Sequence, residues 1–207
     1  MPERAPSRHR VGVLVSGRGS NLQALIDAVE RGDLEADLAV VISNVAGAAA
    51  LERAAAAGIE SQVLAHVGWS SREAYDEALA AALRTRNVEV VCLAGFMRRL
   101  SARFLEAFSG PVLNVHPSLL PAFPGLDAAG QAMAHGAKVA GCTVHLVTAE
   151  LDAGPIVAQA AVPVLPDDTS DSLASRILVE EHRIFPAALA RVLAGGWHLD
   201  GRRFISA

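Results

Sequence analysis

The chain reads as one α/β unit: a Rossmann-like, doubly wound, mostly parallel sheet that runs on into an antiparallel C-terminal extension. Three observations lead there. Of 207 residues, 52% are hydrophobic and only 4% aromatic, so the core must be aliphatic, built from Ala, Val, Leu and Ile. Short, nearly continuous apolar runs recur, as in strands buried on both faces. Between them lie segments with apolar residues at helical spacing. Strands alternating with such helices make βαβ units with right-handed crossovers.

Taken in order, residues 10–16 (RVGVLVS) form the first expected strand. Gly17 to Ser20 turns the chain, and residues 20–31 carry Leu22, Leu25, Ile26 and Val29 on one helical face, with Gly32 as the stop. Residues 36–42 predict a strand, 46–57 a helix, 59–64 a strand, and 71–86 a helix opened by Ser71 with Glu73 close behind. A strand over 88–94, a short helix over 101–108 and a strand over 111–116 follow. The second half changes character. Residues 139–148 and 155–163 are two strands with little helix between them, which suits an antiparallel pair. Residues 169–193 read as a long amphipathic helix capped by Thr169 or Ser170, and 197–205 as a small hairpin about Asp200 and Gly201. All 207 residues are expected to form a single domain, with 1–9 disordered.

Several function classes are excluded or disfavoured by composition. Lys and Arg number 18 against 22 Asp and Glu, a net charge of −4, so bulk charge does not recruit nucleic acid. The two cysteines, Cys92 and Cys142, sit inside apolar runs as buried thiols, with no CxxC pair, consistent with a reducing cytoplasm. No signal-peptide core follows the polar N-terminus, and no stretch reaches the roughly 18–20 apolar residues of a membrane span.

Three motifs carry candidate chemistry. Ser16-Gly17-Arg18-Gly19-Ser20-Asn21 lies at a strand-to-helix junction, where free N–H groups suit an anion. Leu22 replaces the third glycine of GxGxxG and no Lys-Ser/Thr follows, so a single phosphate fits better than a pyrophosphate; a plain tight turn fits as well. In Asn114-Val115-His116-Pro117-Ser118-Leu119-Leu120-Pro121, Asn114 and His116 share one strand face at the carboxyl end of a central strand, where α/β sheets place ligands. An amide donor beside an imidazole suits acyl transfer, the amide facing a developing oxyanion. Glu150-Leu151-Asp152-Ala153-Gly154-Pro155 is a polar turn; an Asp there is ordinarily a turn former, but one that met His116 would orient its ring. The seven histidines show no HxxxH or HExxH spacing, so no metal is expected, and no GxSxG elbow supports a nucleophile.

The segments SGRGSN, SREAYD, LAGFMRRLS, NVHPSLLP, GCTVHLV, LDAGPI and EEH together resemble the folate-dependent phosphoribosylglycinamide formyltransferase family, in that family's order over nearly the whole chain. The resemblance implies the formyltransferase fold and transfer of the formyl group of 10-formyltetrahydrofolate, a co-substrate, to the amine of glycinamide ribonucleotide in purine synthesis. It implies a catalytic trio at Asn114, His116 and Asp152. It implies that the substrate phosphate sits on Gly19, Ser20, Asn21, Leu22 and Gln23, and that Glu181 meets the ribose hydroxyls. Folate is expected at Arg72, at Met97, Arg98, Arg99 and Leu100, at Asn114, and at the loop carrying Asp152. No metal, nucleic acid or membrane is expected as partner; a monomer and a homodimer stay equally open. One departure stands out: after Phe123-Pro124-Gly125, where many family members carry a His-containing segment, this chain reads Leu126-Asp127-Ala128-Ala129. The related tRNA formyltransferases and formyltetrahydrofolate hydrolases carry an additional domain for which this length leaves no room. A non-catalytic binding protein would be expected to have lost part of the trio.

Overall fold

The computed structural model describes residues 8–206. His9, inside the stretch 1–9 expected to be disordered, opens the first strand; residues 1–7 lie outside the described residues. In chain order the elements are β1 His9–Val15, α1 Ser20–Glu30, β2 Ala36–Ser43, α2 Ala49–Ala56, β3 Ser61–Val63, α3 Arg72–Arg84, β4 Val90–Leu93, α4 Ala102–Ala107 and β5 Val112–His116. Then come α5 Ala128–Ala134, β6 Val139–Leu146, β7 Ile156–Pro163, α6 Ser170–Leu193, β8 His198–Asp200 and β9 Arg203–Ile205.

All the strands join one sheet in the order β3-β2-β1-β4-β5-β6-β7-β9-β8. From β3 to β5 every pairing is parallel; β5 with β6 and β6 with β7 are antiparallel. The strand order reverses between β1 and β4, the switch point at which α/β sheets leave a crevice. Alternation along each strand splits the core in two. Val11, Val13 and Val15 of β1 meet Leu22, Leu25 and Ile26 of α1 and Leu173, Ile177 and Phe185 of α6 on one face. Leu14 meets Tyr75, Leu79 and Leu83 of α3 and Phe104 of α4 on the other.

Local signals place the helix ends. Ser71 and Ser101 accept the amides of Ala74 and Phe104, and Thr169 closes a reciprocal capping box with Ser172. Two features depart from the sequence expectation. The segment between β5 and β6 contains α5, and β6 pairs antiparallel with β5 as well as with β7. Helix α5 is short and Ala-rich, so no clear apolar period marks it, and its cap, Asp127, sits in the left-handed region at φ 53°.

The Tyr75 ring is 1% exposed and carries the Arg98 guanidinium 5.1 Å from its centroid. Its hydroxyl has no hydrogen-bond partner among the described residues, and burial pushes the phenol up to about 12. A buried polar atom left unpaired costs about 1–3 kcal/mol. Tyr75→Phe keeps the ring and its cation while removing that atom, so the urea midpoint should stay or rise, by up to the equivalent of about 1 kcal/mol. A clear fall would show that the hydroxyl has a partner in solution.

Candidate active site

The site begins with strand register. Antiparallel pairing sets Asn114 opposite His145 and His116 opposite Thr143. Because alternate residues share a face, these four polar side chains stand together, while Leu113, Val115, Cys142 and Val144 enter the core behind them. Cys92 and Cys142 are both buried, and burial pushes both thiols far above their ordinary range, so neither is a nucleophile.

Hydrogen bonds then fix each group. His145 Nδ1 lies 3.0 Å from the Leu146 carbonyl, which can only accept, so Nδ1 carries the proton. Nε2 is left as an acceptor and faces Asn114 Nδ2 at 3.2 Å. Burial pushes the His145 imidazole below its ordinary value, which keeps it in this neutral, accepting form. Asn114 therefore has its amide orientation set by its cross-strand neighbour. His116 Nε2 donates to the Phe123 carbonyl at 3.0 Å, and Nδ1 faces Asp152 Oδ2 at 3.5 Å. That Asp152 oxygen also accepts the Gly125 amide at 2.8 Å. Both side chains are nearly enclosed, at 7% and 8% exposure, so the pair is screened little by solvent.

The loop that delivers Asp152 is tightly determined. Asp152 lies at φ 49°, a region Asp tolerates better than most residues. A Cβ on Gly154 would fall 1.6 Å from the Leu146 carbonyl oxygen, so only glycine permits this approach to β6. The segment that follows His116 is held as firmly. Thr143 donates to the Ser118 carbonyl at 2.7 Å and accepts from the Leu120 amide at 3.0 Å, while Gln159 donates to the Leu120 carbonyl at 2.9 Å.

Asn114, His116, His145 and Asp152 line one cavity of about 660 Å3. Met97, Arg98, Arg99 and Leu100 line its other side. Met97 is 70% exposed, whereas Leu100 is buried. Arg99 reaches across to the Ala149 carbonyl at 2.8 Å and so ties this segment to the Asp152 loop. Arg72 stands apart at the start of α3, exposed, 3.7 Å from Glu73 and outside the cavity lining.

A second locus lies at the carboxyl end of β1. Gly19 occupies the cap of α1 at φ 73° and offers no side-chain cap, leaving the amides of Ser20, Asn21 and Leu22 without a partner among the described residues. A Cβ on Gly19 would lie 2.6 Å from Ala50 Cβ and 2.7 Å from its Cα, so α2 packs hard against this loop. The Leu22 side chain is fully buried, which limits it to contributing its amide. Asn21 Nδ2 donates to Glu181 Oε2 at 2.7 Å, and Asn21 Oδ1 is buried without a partner. The loops are linked: Ser16 Oγ accepts the Met97 amide at 2.8 Å.

With this geometry in place, comparison with known proteins is decisive. The family model for formyl transferase matches residues 9–189. The chain belongs to the formyl transferase family. It is 45% identical over 190 residues to phosphoribosylglycinamide formyltransferase of Escherichia coli, covering 92% of this chain and 87% of that protein. It is 52% identical over 190 residues to the trifunctional purine biosynthetic protein adenosine-3 of Drosophila melanogaster, covering 91% of this chain but spanning only 14% of that protein's length. The crystal structure of glycinamide ribonucleotide transformylase 1 from Symbiobacterium toebii superposes with a TM-score of 0.95 at 50% identity, covering 98% of this chain and 95% of that one. Among the described residues, no group of His, Cys, Asp or Glu could hold a metal ion, and no helix is long and apolar enough to cross a membrane.

Sequence reasoning singled out Asn114, His116 and Asp152 but not His145. The alternation in GCTVHLV was the available signal; recognising it required knowing that β6 pairs with β5. At the second locus, burial raises the Glu181 carboxyl above its ordinary range, opposed by the Asn21 hydrogen bond and by Arg18. A carboxyl raised in the folded state loses stability as pH climbs past its unfolded value of 4.5, because ionisation is harder folded than unfolded. Glu181→Gln keeps an acceptor for Asn21 and lacks that loss. Its melting temperature relative to the parent should show little difference near pH 4 and a gain that grows toward neutral pH. A pH-independent difference would contradict this assignment.

Proposed function

We propose that this chain transfers the formyl group of 10-formyltetrahydrofolate to the amine of glycinamide ribonucleotide, giving formylglycinamide ribonucleotide and tetrahydrofolate. The observation that carries this reading is the convergence, in one cavity, of the Asp152 carboxylate on His116 with the oriented Asn114 amide beside them. The activities for which the Escherichia coli and Symbiobacterium toebii relatives are named supply the ribonucleotide acceptor and the formyl transfer.

The chemistry follows from these groups. The amine attacks the formyl carbon, and the carbonyl oxygen takes up negative charge. Asn114 has one amide hydrogen engaged by His145 and one left to donate to that oxygen. His116, anchored at Nε2 by Phe123, presents Nδ1 beside Asp152, so a proton there is shared between ring and carboxylate. The 3.5 Å separation is of the kind that tightens when substrate closes the site. Asp152 accepts the proton lost by the attacking nitrogen and returns one to the departing folate nitrogen, so no net proton is consumed within the transfer. No covalent intermediate on the protein is required.

Binding roles divide along the same lines. The free amides of Ser20, Asn21 and Leu22 take the ribonucleotide phosphate at the end of α1, with Gly19 and Gln23 closing the loop around it, and Glu181 takes the ribose hydroxyls. The folate ring enters the cavity beside residues 97–100, where Arg98 stacked on Tyr75 and the outlying Arg72 provide cations for its carboxylates.

An absorbance assay of folate deformylation, run with and without glycinamide ribonucleotide, tests this directly. Deformylation should require the ribonucleotide; release at the same rate into water alone would assign a hydrolase instead. Asn114→Ala should lower kcat by roughly 10²–10³, and Asp152→Asn by roughly 10²–10⁴, with melting temperatures close to the parent. Parent-like turnover by Asp152→Asn would remove the proposed proton relay.

A further inference from the structure

The phosphate loop raises a question that the amides alone do not answer. A glycine-rich turn with no side-chain cap is a flexible element, yet an anion site must hold its N–H groups in one array before the ligand arrives. Arg53, on α2, supplies the constraint. Its Nε donates to the Arg18 carbonyl at 2.9 Å, and its Nη1 donates to Gln23 Oε1 at 3.1 Å. These two acceptors bracket the segment that carries the amides of Ser20, Asn21 and Leu22.

The clasp is continued on both sides. Gln23 Nε2 donates to Asp27 Oδ1 at 2.7 Å, which orients the amide so that its oxygen faces Arg53. The Gln23 amide donates to the Gly19 carbonyl at 2.9 Å, and the Ala50 amide donates to the Gly17 carbonyl at 3.0 Å, so the base of the loop also leans on α2. The Arg53 side chain passes close beneath: a Cβ on Gly19 would lie 3.3 Å from Arg53 Cδ. Ser20, Gln23 and Arg53 line one cleft of about 340 Å3.

We infer that Arg53 is the positioning residue of this anion site: its guanidinium clasps both ends of the loop and presets the amide array that receives the phosphate monoester. The inference rests on the proposed ribonucleotide reading and deepens it. A planar fork reaches two acceptors at once, which an ammonium on a flexible stem does less well. The clasp therefore acts through geometry in addition to charge. It lies outside the cavity that holds Asn114, His116 and Asp152, so it governs capture of the ribonucleotide and leaves the chemical step alone.

The test compares Arg53→Ala and Arg53→Lys with the parent by steady-state kinetics, and measures ribose 5-phosphate binding to each by calorimetry. Arg53→Ala should raise KM for glycinamide ribonucleotide about 10- to 100-fold, the loss expected for two charge-assisted hydrogen bonds at an ordering site. The kcat and the KM for the folate should stay within about twofold. Arg53→Lys should recover only part of the loss, because it restores the charge and not the fork. Unchanged ribonucleotide KM and unchanged ribose 5-phosphate affinity in Arg53→Ala would overturn the inference. So would full recovery by Lys, or a fall in kcat with both KM values rising together. Should Arg53→Ala not fold, Arg53→Lys with its partial loss in ribose 5-phosphate affinity decides the matter. If the parent fails to turn over glycinamide ribonucleotide, the proposed function falls, and the binding comparison still judges Arg53.

Discussion

The antiparallel pairing of β5 with β6 is the constraint on which the site depends. Until β5 the sheet is parallel and its two faces are covered by helices; a further parallel strand would bring another crossover helix over the same surface. Reversal of direction removes that helix from the path. It also sets Leu146, the end of β6 that leads into the Asp152 loop, against Leu113 near the start of β5, while His116 at the carboxyl end of β5 lies against Thr143. One register then places Asn114 against His145 and His116 against Thr143. A slip of one residue would turn Leu113 and Val144 outward and bury the imidazoles. The hydrophobic alternation of both strands, with Leu113, Val115, Cys142 and Val144 facing the core, enforces this arrangement of polar side chains energetically. Packing and function are here two faces of the same strands.

From that pairing the roles of the polar groups follow by exclusion. A carbonyl oxygen can only accept, so Leu146 fixes the His145 tautomer, His145 fixes the Asn114 amide, and Phe123 fixes the His116 ring. Each anchor is backbone or a neighbouring strand, so no long side-chain search precedes binding. The cost is carried in the loop, where Asp152 adopts a positive φ and Gly154 approaches β6 so closely that no side chain fits. A net charge of −4 is indifferent to this design. The anions of the proposed reaction would meet uncapped amides at one locus and a few arginines at the other, where Arg98 is held on the Tyr75 ring.

Much of this was legible in the sequence, for physical reasons that can be named. Buried parallel strands such as VGVLV declare themselves because both faces are apolar, and helices such as α3 and α6 because their caps and apolar periods agree. Asp152 read as an ordinary turn former and joined the trio only through the family resemblance, whereas Asn114 and His116 were legible as a pair because they are two apart on a strand. Helix α5 was not: it is seven residues long, nearly all small, and its cap adopts a left-handed conformation that an N-cap rarely shows. His145 was not, because its partner across the sheet is 31 residues away and only the β5–β6 register reveals it. Arg53 was invisible for the same reason, since its acceptors lie 30 and 35 residues distant.

Asp127 shows how a departure from the family pattern is absorbed. The carboxylate stands where the family resemblance leads one to expect a His-containing segment, and it lines the cavity proposed to take an anionic folate. Its oxygen is turned to the backbone: Oδ1 accepts the Gly130 amide at 3.1 Å and faces the Ser170 hydroxyl at 3.4 Å. An Asp cap contributes typically about 1 kcal/mol to a helix, and the first-turn amides of α5 partly offset its charge. The repulsion it would exert on a folate carboxylate across an open cavity mouth is weakened by solvent and salt. The balance favours the cap, because the cap bond is short and local while the repulsion is long and screened. Asp127 thus serves as a fixed anchor for α5, and the proposed acid–base chemistry is left to His116 and Asp152.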